Sequence, residues 1–172
     1  HWAKRSVELL IAQGILKNPY VEYDEGVTRA EAVKMLALSK GMYGYYEKPY
    51  QNTELSFEDV PKDDEYYTYV EAAVKQKILD ATGEFKGSEI ITKEEFVILL
   101  VKMLGYGDIA KHSEIFKISG MNNISEDLTG YIALCSVLDI LPAKEGEVFD
   151  GKGDVTYAEA ATALYKALSH IK

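Results

Sequence analysis

The stretch "VTRAEAVKML", residues 27–36, returns as "ITKEEFVILL" at 91–100 and again as "VTYAEAATAL" at 155–164. Its threonines, Thr28, Thr92 and Thr156, stand 64 residues apart each time. A fixed period of this size implies one supersecondary unit used repeatedly, whose copies bury a core together. Threonine followed three residues later by glutamate is a capping box. The hydroxyl accepts from the N–H of the third helical residue, and the glutamate reaches back to the threonine N–H. Thr28/Glu31, Thr92/Glu95 and Thr156/Glu159 all fit. Such a cap is worth about 0.5–2 kcal/mol. The apolar residue before each threonine (Val27, Ile91, Val155) fits a hydrophobic staple.

Each box opens a second helix, over roughly 28–40, 92–104 and 156–169. A first helix precedes it, in "HWAKRSVELLIAQGIL", "YYTYVEAAVKQKIL" and "LTGYIALCSVLDIL". Trp2, Val7, Leu10 and Ile11 fall at helical spacing, and Gly14 is a plausible C-cap. All three segments end in Ile-Leu, at 15–16, 78–79 and 140–141. Turn-rich loops join the helices of each copy. A tyrosine-rich stretch, "GMYGYYEKPYQNTELSFEDV", links the first two copies and reads as ending in an extended piece, "FEDV". The expected fold is all-α, a single domain over 1–172. Its parts are repeat one at 1–44, a connector at 45–56, repeat two at 57–106 and repeat three at 107–172.

Within the box one position changes, being Arg29, Lys93 and Tyr157 in turn. Capping does not need it, and a first-turn residue pointing outward meets a macrodipole that disfavours cations. Arg29 and Lys93 therefore suggest an anion held at the helix start by the cation and backbone N–H groups together.

Composition narrows the function. Net charge is −9, which disfavours nucleic acid or an anionic membrane as partner. The longest apolar run, from Phe96, is too short to span a bilayer, so no membrane insertion is expected. No leader opens the chain, so in an exported protein it would lie upstream or have been removed. Cys135 is the one cysteine, which excludes a disulfide within the chain and reads as a small buried hydrophobe. His1, His112 and His170 lack zinc-ligand spacing. The loop from Asp150 puts Lys152, Val155 and Ala161 where an EF-hand needs an oxygen ligand, a glycine and a glutamate. No nucleophile elbow, phosphate loop or Cys/His pair suggests catalysis, so neither an enzyme nor a cofactor is expected.

At the threonine boxes the chain resembles the S-layer homology family, whose repeats end in an Ile-Thr-Arg-Ala-Glu box. "VTRAEAVKMLALSKG" is a close match, and "FEDV" at 57–60 is similar to the Phe-x-Asp-Val that opens a family repeat. The resemblance implies a three-pronged, pseudo-symmetric spindle around a central helical bundle. It also implies non-covalent anchoring at the bacterial cell surface, through secondary cell-wall polysaccharide that often carries a pyruvate ketal. Arg29 would hold the acidic substituent, with Lys93 a weaker copy because it lacks the planar fork. Asp59 would bind sugar hydroxyls or shape the groove beside Arg29. Trp2 matches the family's aromatic and is equally a core anchor. The copies depart from the pattern at Lys77 and Asp139, which replace Gly14, and at Tyr157, which would stack on a sugar or pack between repeats. The tyrosines of "YGYYEKPY" would pack between repeats or extend a saccharide platform. A second reading is a degenerate repeat domain for contacts with other S-layer protein or for lattice assembly.

Overall fold

The computed structural model describes residues 1–17, 22–41 and 54–171. Among these lie seven α-helices: α1 (Lys4–Ala12), α2 (Arg29–Ser39), α3 (Tyr67–Lys75), α4 (Lys93–Met103), α5 (Gly107–Ala110), α6 (Thr129–Val137) and α7 (Tyr157–Leu168). Short 3₁₀ turns at Ser113–Ile115 and Glu126–Leu128 precede α6. The fold is all-α, and the described residues contribute only isolated β-bridges to extended pairing.

All three capping boxes form. Thr28, Thr92 and Thr156 are extended N-caps whose Oγ1 accepts from the N–H of Glu31, Glu95 and Glu159. The same glutamates accept the threonine N–H on Oε2, at 2.9, 2.9 and 3.0 Å. The first helices α1, α3 and α6 are stopped alike, by a residue in the left-handed region: Gly14 (φ 73), Lys77 (φ 58) and Asp139 (φ 56). The next N–H, of Ile15, Ile78 and Ile140, returns 2.9 Å to the carbonyl of Leu10, Ala73 and Cys135. That is a Schellman end, and it turns each isoleucine into the core.

Packing crosses the sequence copies. α3 lies on α2, α6 on α4, and α1 on α7, while α2, α4 and α7 also touch one another. Each first helix thus covers the second helix of another copy, and α1 closes the circuit at the far end of the chain. The residues just before the caps close a second circuit. The Val27 N–H donates to Val155 O (2.8 Å), Val155 N–H to Ile91 O (3.0 Å) and Ile91 N–H to Val27 O (3.0 Å). All three side chains are fully buried, which contributes about 1.5–3 kcal/mol each.

A third circuit involves the variable position. Arg29 Nη2 donates to Glu95 Oε1 (2.8 Å), Lys93 Nζ to Glu159 Oε1 (2.5 Å) and the Tyr157 hydroxyl to Glu31 Oε1. These side chains do not point outward as the sequence reading has it. The Arg29 side chain is 20% exposed and that of Lys93 13%. Each reaches the capping glutamate of another copy, a partner that no local pattern reveals.

Two further expectations change. Trp2 precedes α1 and is 41% exposed, and the core there takes Ala3, Val7 and Leu10 instead. "FEDV" is a turn closed by Val60 N–H on Phe57 O (3.2 Å), not an extended piece. Between α4 and the first 3₁₀ turn lies the short α5, whose Ala110 is buried. Most of the tyrosine-rich connector, "YGYYEKPY" included, lies outside the described residues.

Two predictions follow from these ends and caps. Burial pushes the Glu95 carboxyl upward, but its bonds with Arg29 and Thr92 outweigh this and leave its pKa below the ordinary value. A depressed carboxyl adds stability above its unfolded pKa of about 4.3 and loses it as pH falls through the folded value. Glu95→Gln keeps a competent capping box without the charge. Denaturant titrations should therefore find it less stable than wild type near neutrality, with the gap closing on acidification below about pH 4. Lys77 is exposed and strained, so Lys77→Gly should raise stability by about 0.5–1 kcal/mol in the same assay.

Candidate functional site

Arg29 starts α2 in the first helical position, and the loop before α4 comes to meet it. Arg29 N–H donates to Glu89 O (2.9 Å) and Ala30 N–H to Gly87 O (3.0 Å), while Thr28 takes the N–H of Glu31. The first three N–H groups of the helix are therefore occupied. The anion site expected from backbone donors is closed by the chain itself, so recognition here falls to side chains. One Arg29 nitrogen holds Glu95, whereas Nε is buried with no acceptor. An unpaired buried donor costs about 1–3 kcal/mol, and a ligand acceptor would relieve it.

Arg29 lines a groove of ≈ 500 Å³ with Phe57, Asp80, Glu84, Lys86 and Glu95. Asp80 is tied to Lys102 at 2.5 Å. The groove thus combines an apolar ring, a planar guanidinium with spare capacity and several carboxylates. Carboxylates accept from hydroxyls, and a guanidinium holds an acidic substituent in a fixed plane.

Asp59 shapes this groove. Its Oδ1 accepts the Phe85 N–H (2.9 Å) and its Oδ2 the Lys86 N–H (2.8 Å), so one carboxylate orders the loop that carries Phe85 and Lys86 past Arg29. Burial raises the Asp59 pKa, but these backbone donors overcome it and hold the carboxyl below its usual range. Around the corner a cavity of ≈ 530 Å³ is lined by Thr28, Ala30, Asp59, Tyr66 and Lys86. The fold therefore brings Arg29 and Asp59 to the two sides of one loop.

The other candidates lie elsewhere. Lys93 repeats the Arg29 backbone arrangement at α4, with its own N–H on Gly153 O and that of Glu94 on Gly151 O, both 2.9 Å. Tyr157 does so at α7, on Glu25 O and Tyr23 O. Its hydroxyl is pushed up by burial first and by Glu31 second, which keeps it protonated and donating. The Glu31 carboxyl is raised by burial, but bonds with Tyr157 and Thr28 leave it lowered overall. Trp2 stands beside His1 (ring centroids 5.5 Å), which stacks on Tyr23 at 4.3 Å. It therefore belongs to the Tyr157 side and not to the loop that Arg29 and Asp59 flank.

Sequence reasoning missed the residues around Tyr157. A groove of ≈ 370 Å³ there is lined by Lys17, Glu22, Glu31, Lys34, Tyr66 and Tyr157. Lys34 Nζ sits 5.1 Å from the Tyr66 ring and 5.3 Å from that of Tyr69, a cation–π arrangement. Tyr66 and Tyr69 lie at the start of α3, 32 or more residues from Lys34. Only the packing of α3 on α2 could have joined them.

Comparison with known proteins places these elements. Residues 56–97 match the S-layer homology domain family. The chain is 29% identical over 177 aligned residues to the amylopullulanase of Thermoanaerobacterium thermosulfurigenes, and equally to exoglucanase XynX of Acetivibrio thermocellus. Each alignment takes in 98% of this chain but only 9% and 16% of those proteins. The family match opens at the Phe57–Asp59 turn and runs into the α4 helix that Thr92 and Glu95 cap. Over residues 56–97 the chain is therefore similar to the S-layer homology domain, a module that anchors surface proteins to the cell wall.

Proposed function

We propose that this chain is a three-repeat, pseudo-symmetric wall-binding module, with repeats at 1–44, 57–106 and 107–172, that holds a bacterial surface protein to pyruvylated secondary cell-wall polysaccharide. The Arg29 groove carries this reading: a partly exposed guanidinium with one buried, unpaired N–H, beside a loop that Asp59 orders. The pyruvyl carboxylate would take Arg29, in a charge-assisted bond worth about 1.5–3 kcal/mol. Glu84 and Lys86 would take ring hydroxyls, and Phe57 a sugar face. Lys93 is a second, weaker contact, held back by its bond to Glu159. Trp2, exposed beside His1 and Tyr23, would offer a stacking face in the third groove.

The wall attachment places the working site outside the cell. Catalysis would sit in other parts of such proteins, since the two relatives bear enzyme names and align with this chain over a small share of their length. Contact with other S-layer protein stays the competing role.

Calorimetric titration with a pyruvylated cell-wall disaccharide tests the reading on wild type, Arg29→Ala and Arg29→Lys. Saturable binding should be weakened at least tenfold in Arg29→Lys, which keeps charge without the fork, and lost in Arg29→Ala. Equal heats for wild type and Arg29→Ala would move the site away from Arg29. An absence of heat from wild type would favour the protein-contact role.

A further inference from the structure

The second threonine box carries an acid that the other two lack. Glu94 stands where Ala30 and Ala158 stand in the first and third. Beside Ala30 the space is open, as the cavity shared with Asp59 and Lys86. At the second box the corresponding side chain runs inward, and Glu94 is only 5% exposed. Its Oε2 accepts the Ser125 N–H at 3.1 Å and its Oε1 the Ser125 hydroxyl at 2.9 Å. Lys152 Nζ donates to the same Oε1, and also to Ser125 Oγ at 2.7 Å. The wall behind is tight. A Cβ on Gly151 would come within 2.9 Å of Asn123 O and 3.2 Å of Glu94 Oε2.

We infer that Ser125 and Lys152 form a carboxylate-binding site that Glu94 fills from within, so that the site beside the second threonine box is closed by the chain's own anion. Two N–H or O–H donors and an ammonium converge on one carboxylate, which is how a protein holds a small organic acid. Another acid close by, Asp150, is already engaged, its Oδ1 accepting from Asn123 Nδ2 (2.9 Å) and Lys152 N–H (3.3 Å). Lys152 keeps 57% of its side chain exposed, so the site opens to solvent on that side. With alanine at 94, as at 30 and 158, the donors would face an empty space that acetate fits. The inference does not depend on whether the Arg29 groove binds wall polymer.

The test is chemical rescue in the full chain. Thermal unfolding of wild type, Glu94→Ala and Glu94→Gln is followed against rising sodium acetate, with sodium chloride at matched ionic strength as reference. A ligand that binds only the folded state raises the midpoint in a saturable way. Glu94→Ala should melt several degrees below wild type in chloride and recover most of that loss in acetate, with the Ser125 amide resonance moving in step. Wild type and Glu94→Gln, which leave the space filled, should ignore acetate. If Glu94→Ala does not fold in chloride, acetate-dependent folding supports the inference and persistent unfolding overturns it. An equal response to acetate and chloride, or an acetate response in Glu94→Gln matching that of Glu94→Ala, overturns it as well.

Discussion

A carboxylate has two oxygens, and this fold depends on using both. In Glu31 and Glu95, Oε2 completes the capping box of its own helix while Oε1 accepts from the first residue of another copy's helix, and Glu159 does the same. Local capping and long-range assembly are thereby the same interaction. A helix whose glutamate is correctly placed to cap is also correctly placed to receive its neighbour. The backbone circuit through Val27, Ile91 and Val155 lies directly beneath, so the starts of α2, α4 and α7 are fixed to one another by main chain and side chain together. Net hydrogen-bond energies are modest singly. Closure in a ring means that none of the three starts can shift without disturbing the other two.

The changing residue in the box now has a physical explanation. Arginine, lysine and tyrosine share little in charge or shape, but each ends in a donor long enough to cross to the next glutamate. What the position requires is an N–H or O–H at that reach, not a cation. The cation is therefore no proof of a ligand, and the case for the Arg29 groove rests on what the guanidinium has left over after serving Glu95.

Much of the fold could be read from the chain because its determinants are local. Thr28, Thr92 and Thr156 cap helices within one residue of the expected starts, since a capping box is complete within four residues. The shared stop at Gly14, Lys77 and Asp139 was visible as a position, though lysine and aspartate there disguised a left-handed backbone that the following buried isoleucine enforces. The site was less legible for the same reason reversed. The donors on Glu95, Glu159 and Glu31 come from 66 or more residues away, and the Asp59 clamp on Phe85 and Lys86 spans 26 and 27 residues. Trp2 misled because helical spacing holds for residues inside a helix, and α1 begins two residues later.

The same ring ranks its three donors. A tyrosine hydroxyl has one proton, and at Tyr157 it is committed to Glu31, so that side chain has no donor left for an acid. A lysine ammonium has three, but Lys93 is largely buried against Glu159, itself nearly inaccessible. A second anion there would have to be drawn into a space already holding one. Arginine has five donors in a plane, and Glu95 engages one nitrogen while remaining one-third exposed to water. Solvent screens Glu95, so a ligand carboxylate approaching the far side of the same guanidinium meets a weaker repulsion than it would at Glu159. Of the three donors that hold the ring together, arginine alone can keep its place in the fold and still have a face to offer.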